Sequence, residues 1–273
     1  MTAEGNTHAT FKSLRDSLLG LENVCHVLAV ASGKGGVGKT TMAVNVALAL
    51  SQQGKRVGLL DADVYGPSVP VMLDLNQSPG RENNMIVPIQ KFGLKIMSLG
   101  MIVTEGQAFI WRGPMVGKAI QQLLGEVLWG ELDYLVVDLP PGTGDPSITV
   151  AQAIPKASIL IVTTPQNVAL ADVRRSVELF RKFDLHIVGL VENMSYFMCG
   201  HTDEPIEIFG HGGGTKLSEE LGLPFLGSVP IELEIRMGGD SGVPLMVSAP
   251  NSEPGRTFQS IAQNILAGEE SAC

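Results

Sequence analysis

Short apolar runs alternate with amphipathic stretches along most of this chain. The runs Val27–Ala31, Arg56–Leu60, Lys95–Leu99, Tyr134–Asp138, Ser158–Thr163, His186–Val191 and Phe225–Val229 predict strands. Most are apolar throughout instead of alternating, as in strands buried on both faces of a parallel sheet. The stretches between them carry the helical period. Ala169, Val173, Val177 and Phe180 share one helix face, and Arg174, Arg175, Glu178 and Lys182 share the other. Met115–Trp129 and Thr257–Leu266 read similarly, and Thr41–Leu50 contains no Gly or Pro to break a helix. This alternation predicts an α/β fold: a doubly wound, mostly parallel sheet with helices on both faces.

No internal repeat or linker divides the chain. Residues 1–22 form an N-terminal extension, helical around Phe11–Leu19 or loose; residues 23–268 form one domain; the tail, 269–273, is expected to fray. The Ser/Pro/Gly-rich stretch Asn76–Asn84 predicts a surface loop. Aromatic residues make up only 5% of a chain that is 44% hydrophobic, so the core must be aliphatic. A glycine content of 32 in 273 residues suits many tight strand–helix loops.

A net charge of −9 argues against a general nucleic-acid surface, which needs a basic stripe. No apolar run reaches the roughly 18 residues of a spanning helix. The first twenty residues lack the basic and apolar regions of a secretory signal. An odd count of three cysteines then predicts a reducing compartment, the cytoplasm. Cys25, at the start of the first strand, is expected to pack as a small core hydrophobe.

The most specific signal is Gly33-Lys34-Gly35-Gly36-Val37-Gly38-Lys39-Thr40, which fits G-x-x-x-x-G-K-[ST]. The apolar strand His26–Val30 precedes it, and the predicted helix beginning at Thr41 follows, which is the setting the pattern requires. Glycines let backbone N–H groups turn toward a polyphosphate, and the helix N-terminus adds its positive dipole end. Lys39 is placed to reach the β- and γ-phosphates, and the Thr40 hydroxyl to ligate Mg²⁺. The whole loop and Thr41 are therefore the candidate residues for binding ATP with Mg²⁺, and 23–268 becomes a P-loop ATPase domain.

Two acidic stretches complete such a site. Leu59-Leu60-Asp61-Ala62-Asp63 ends the second strand, and Val136-Val137-Asp138 ends another. An apolar strand ending in Asp is the Walker-B arrangement, which holds Mg²⁺ through its water shell. Ligands in these sheets sit outside the carboxyl ends of the strands, where Asp61, Asp63 and Asp138 all fall. Asp61 also suits a turn or helix-capping role. The Pro/Gly-rich run after Asp138 can change shape when a γ-phosphate leaves.

The loop GKGGVGKT carries a second lysine, Lys34, after its first glycine, and so resembles the deviant phosphate loop of the MinD/ParA/nitrogenase-iron-protein group. Within that group DADVYGPS (Asp61–Ser68), VVDLPPGTGD (Val136–Asp145), TTPQ (Thr163–Gln166) and ENMSYF (Glu192–Phe197) are similar to the Mrp/ApbC-type iron–sulfur cluster carriers, over about Val27 to Pro250. The resemblance implies an ATP-binding and ATP-hydrolysing homodimer that transfers iron–sulfur clusters to apoproteins, with neither nucleic acid nor membrane as a partner. It implies that Lys34 crosses the dimer interface to the partner's phosphates, and that Asp63 orients the attacking water. Lys34, Lys39 and Asp63 are then the catalytic set. Asp138 corresponds to the Walker-B residue and Asn193 to the adenine-reading asparagine. An amide offers both the donor and the acceptor an adenine edge needs, and it also suits a turn.

The pattern departs from the family in two places. Family members usually carry C-x-x-C a few residues after ENMS, and two such pairs, one per subunit, supply four thiolates to a shared [4Fe–4S] cluster. Here Cys199 takes the first position and Thr202 the second. Cys199 is either a cluster ligand, helped by His201 and His211 as imidazole donors, or an inert loop thiol. Cys273 lies on the tail and assists only by reaching in. The second departure is that too few residues precede the first strand for the extra N-terminal domain many relatives carry.

A rival reading is a ParA/MinD-like nucleotide switch without a cluster, docking on DNA or membrane. MinD-type chains end in a basic amphipathic helix, whereas Ser252–Cys273 holds one Arg, no Lys and three Glu. A metabolic kinase or ligase would need an acceptor pocket, and the sequence shows no distinctive one.

Overall fold

The computed structural model describes residues 21–64, 66–101, 113–142, 154, 157–199 and 204–270. The predicted helix at Phe11–Leu19, the motif residues Tyr65 and Thr143–Asp145, and His201, Thr202 and Cys273 lie outside them.

Strand β1 (Val24–Ser32) leads to α1 (Lys39–Gln52), β2 (Val57–Asp61) and the one-turn α2 (Val69–Met72). A hairpin of β3 (Gly80–Glu82) and β4 (Met85–Val87) precedes β5 (Ile89–Lys91) and β6 (Leu94–Ser98). Then come α3 (Gly113–Glu126), β7 (Leu132–Asp138), β8 (Ser158–Thr163), α4 (Asn167–Lys182) and β9 (His186–Glu192). The remainder is β10 (Phe197–Met198), β11 (Pro205–Ile206), α5 (Gly213–Leu221), β12 (Phe225–Ser228), α6 (Leu233–Ser241), α7 (Leu245–Ser248) and α8 (Glu253–Glu270).

The central sheet runs β12-β9-β8-β1-β7-β2-β6-β5. Its pairings are parallel except for the edge strand β5, which is antiparallel to β6. The apolar runs are explained by burial on both faces. Leu28 and Val30 of β1 join one core with α1 and with Phe258 and Ile261 of α8. Ala29 and Ala31 join the other, with Ile120 and Leu123 of α3 and Val173 and Phe180 of α4. The sheet is doubly wound, as the alternation predicted. Helix α4 buries Ala169, Val173, Val177 and Phe180, the face its period marked.

Three expectations change. Cys25 is exposed: burial of β1 begins at Val27, so Cys25 stands on the rim of the sheet and is no core residue. Asn76–Asn84 lies at the surface, but its second half folds into the β3–β4 hairpin. Asn83 and Asn84 make the turn at φ 48° and 65°, a left-handed backbone that Asn tolerates better than most residues. Fraying does not begin at Glu269: α8 continues through Glu270, because the Glu269 side chain is buried and its carboxylate lies 3.3 Å from His26 Nδ1. Among the described residues no helix is long and apolar enough to cross a membrane.

The register sets the site. Val30 of β1 and Asp61 of β2 both pair with Asp138 of β7. The phosphate-loop pattern and both acidic strand ends therefore meet at the carboxyl edge of the sheet.

Candidate functional site

The loop between β1 and α1 is shaped by glycines. Gly36 and Gly38 sit at φ 80° and 81°, in the left-handed region. At Gly38 a side chain is excluded twice, because a Cβ there would lie 2.2 Å from Asn193 Nδ2. Gly38 caps α1 with no side-chain hydrogen bond, so backbone N–H groups of the first turn remain for a ligand. Asn193 Nδ2 donates to Val37 O at 2.8 Å, which ties the end of β9 to this loop.

Lys39 opens α1 and is buried. Its Nζ lies 2.6 Å from Asp138 Oδ1 and 3.8 Å from Asp63 Oδ2. Thr40 Oγ1 donates to Asp138 Oδ2 at 2.6 Å. Burial pushes the Asp138 carboxyl above the ordinary range, and the charge and hydrogen bond of Lys39 work against that shift. The four residues Lys39, Thr40, Asp63 and Asp138, named separately in the sequence, are thus brought to one point.

Asp61 takes the structural role its sequence left open. Its Oδ1 accepts the Asp63 N–H at 3.1 Å, and its Oδ2 accepts the Val69 N–H at 3.2 Å and the Ser98 hydroxyl at 3.0 Å. It thereby holds the turn after β2 and the first residue of α2. Burial, and next the nearby Asp138, raise its carboxyl pKa to about 7. Lys34 Nζ donates to Gln166 Oε1 at 3.3 Å, across from the start of α4. The Gly142 N–H donates to Ser32 O at 3.0 Å, so the segment after Asp138 is bonded to the loop's first strand.

A groove of about 810 Å³ opens beside Gly38, Thr41 and Asn193, with a largely apolar wall that includes Met194, Phe209 and Ile235. No short motif marks these wall residues, which come from separate segments of the chain. Cys199 is half-buried just after β10, on a hairpin whose short strands pair Phe197 with Ile206 and Met198 with Pro205. Nδ1 of His211, the second imidazole proposed for a cluster, faces Ser195 Oγ at 3.3 Å. Among the described residues no group of three or more His, Cys, Asp or Glu side chains is placed to hold a metal ion.

Residues 23–266 match the ParA family described as the NUBPL iron-transfer P-loop NTPases. The chain belongs to that family. The iron-sulfur cluster transfer protein NUBPL of Dictyostelium discoideum is 49% identical over 249 residues, which cover 90% of this chain and 77% of the relative. The iron-sulfur cluster carrier protein of Escherichia coli is 44% identical over 261 residues, 95% of this chain and 70% of the relative. Among solved structures, a nucleotide-binding protein from Archaeoglobus fulgidus in complex with ADP is similar, with a TM-score of 0.74 and 34% identity over 85% of this chain and 91% of that one. In this NUBPL-type P-loop NTPase, then, Lys39, Thr40, Asp63 and Asp138 converge, Asn193 braces the loop, and Cys199 stands on a separate hairpin.

Proposed function

We propose that this chain binds and hydrolyses ATP with Mg²⁺ and, as a homodimer, carries an iron–sulfur cluster to apoproteins. The carrying observation is the buried contact of Lys39 Nζ and Thr40 Oγ1 with the two oxygens of Asp138, both at 2.6 Å, beside a glycine-capped helix start. A buried lysine on a buried carboxylate is held ready for exchange: polyphosphate oxygens replace the carboxylate as its partner. The loop from Gly33 to Gly38 and the N–H groups of Thr40 and Thr41 cradle the phosphates. The donors fit a hard divalent cation, since Thr40 Oγ1 and the Asp138 carboxylate are oxygens. Mg²⁺ there supplies charge neutralisation on the phosphates. Lys39 stabilises the transferring phosphoryl group and Asp63 orients water. The adenine lies in the apolar groove beside Asn193. Lys34, resting on Gln166 in the single chain, swings to the phosphates of the partner subunit.

The cluster is cargo. The cluster-carrier names of relatives at 44–49% identity support this half of the reading. Cys199 from each subunit provides thiolates to a [4Fe–4S] cluster, and Thr202 in place of a second cysteine makes that cluster labile or dependent on an outside thiol such as glutathione. A reducing compartment such as the cytoplasm, with neither nucleic acid nor membrane as partner, completes the proposal. Anaerobic reconstitution tests it: iron per chain and the absorption spectrum, read beside phosphate release from ATP. Protein that holds no iron ends the carrier half, and protein that releases no phosphate ends the ATPase half.

A further inference from the structure

Two neighbouring side chains at the end of β9 serve two different loops. Asn193 donates to Val37 O inside the P-loop at 2.8 Å. Glu192 is wholly buried and gathers three donors: Ser195 Oγ at 2.5 Å and the Gly212 N–H at 3.3 Å on Oε1, and the Gly214 N–H at 2.5 Å on Oε2. Both ends of the segment that carries Cys199 therefore close on one carboxylate. The fit is tight, because a Cβ on Gly214 would lie 3.0 Å from Glu192 Cβ.

The backbone between these anchors is bent. Met194, between Asn193 and Ser195, sits at φ 55°, which disfavours a residue with a Cβ. That bend accompanies the turn of the Ser195 hydroxyl back to Glu192 while Asn193 faces the P-loop. On the other limb Gly210 and Gly212, at φ 87° and 71°, flank His211, whose Nδ1 meets the same Ser195 hydroxyl. Both limbs also wall the groove: Asn193 and Met194 from the first, Ile208 and Phe209 from the second. Ile208 is 52% exposed and Phe209 38%, so the second limb presents apolar surface at the mouth of the groove.

We infer that Glu192 and Ser195 are positioning residues that couple the nucleotide groove to Cys199. A nucleotide in the groove touches both limbs, and the Glu192–Ser195 clasp passes that constraint to the hairpin and slows attack on the Cys199 thiol. The inference rests on the nucleotide half of the proposed function and needs no cluster.

The test uses the full, reduced, iron-free chain, ADP as the probe, and iodoacetamide alkylation followed peptide by peptide. Saturating ADP should slow alkylation of Cys199 about threefold or more, while Cys25 on the far rim serves as an unchanged reference. Ser195→Ala should bind ADP within about twofold of wild type yet lose at least half of the protection, and Ser195→Thr, which keeps a hydroxyl, should restore it. Amide hydrogen exchange at residues 205–210 of the unaltered chain should slow with ADP, a measurement that stands even if the alanine variant fails to fold. Bound ADP with an unchanged Cys199 rate or unchanged exchange at 205–210 overturns this inference alone, as does full protection in a folded Ser195→Ala. ADP that does not bind overturns both this inference and the nucleotide reading.

Discussion

The P-loop and the Cys199 hairpin leave the same edge of one sheet, yet they are held in different ways. The P-loop runs from a buried strand straight into α1, whose side chains from Met42 to Leu50 are almost wholly buried. Its shape is local: left-handed glycines and the first turn of a helix. The hairpin has strands of two residues, with Phe197 and Met198 half-buried and Pro205 and Ile206 exposed. What holds it is a set of long-range bonds: Glu192 accepts from backbone N–H groups 20 and 22 residues away, and the Ile231 N–H donates to Tyr196 O at 2.7 Å. A site built from local backbone geometry depends on few partners. A site built from distant polar bonds can be shifted by anything that touches one of them.

Breaking the P-loop side should give the largest effect. Lys39→Ala removes the cation that meets both Asp138 and Asp63, and phosphate release should fall by ~10³-fold or more. Turnover near the wild-type rate would reject the site. Asp63→Ala should act on one step only: ATP still binds, but single-turnover cleavage slows roughly 10²-fold. Equal losses in binding and cleavage would show that Asp63 holds structure and does not position water.

The hairpin side should break at its cargo step. Cys199→Ser should remove iron from anaerobically reconstituted protein and keep ATP turnover within about twofold, since Cys199 follows β10 and is not among the residues that meet at Lys39 and Asp138. Thr202→Cys should raise iron retention. If Cys199→Ser holds as much iron as wild type, the cargo ligands are elsewhere.

The smallest effect concerns pH. In the folded chain Asp61 keeps its proton up to about pH 7, against 3.8 for an ordinary aspartate. Between those values the folded state binds the extra proton, so stability from this group is full below the lower value and declines as pH rises toward the upper one. Asp61→Asn removes that decline. Its stability relative to wild type should improve by about 1–3 kcal/mol between pH 4.5 and pH 7.5, read by denaturant unfolding. Parallel pH curves for the two proteins would show that Asp61 is ionised throughout.

The contrast between the regions also explains what could be read in advance. All seven strand candidates form strands, with ends shifted by a few residues, because runs such as Leu28–Ala31 are apolar on both faces and match no other element as well. The P-loop was legible because strand, glycines, lysine and helix are consecutive. Cys25 misled because its neighbours in sequence are core residues, while the rim of the sheet is a property of the assembled layers. The β3–β4 hairpin was hidden by Gly, Pro and Asn, which mark a loop and a tight turn alike.

Glu192 shows the limit most clearly. It stands in the motif ENMSYF, yet the motif alone cannot reveal that its carboxylate closes the hairpin on Gly212 and Gly214. The apolar groove has the same character, since Met194, Phe209 and Ile235 are ordinary hydrophobes until the fold lines them up beside Asn193.

By itself the sequence determined the layered α/β architecture, the phosphate loop and the acidic strand ends, because hydrophobic period and backbone conformation act over a few residues. The tertiary structure decided which of those groups meet: Lys39 with Asp138 and Asp63, Asp61 with the start of α2, Asn193 with Val37, and Glu192 with both ends of the Cys199 segment. Those pairings depend on strand order and register, which are set by packing across the whole sheet and which no short stretch of chain encodes.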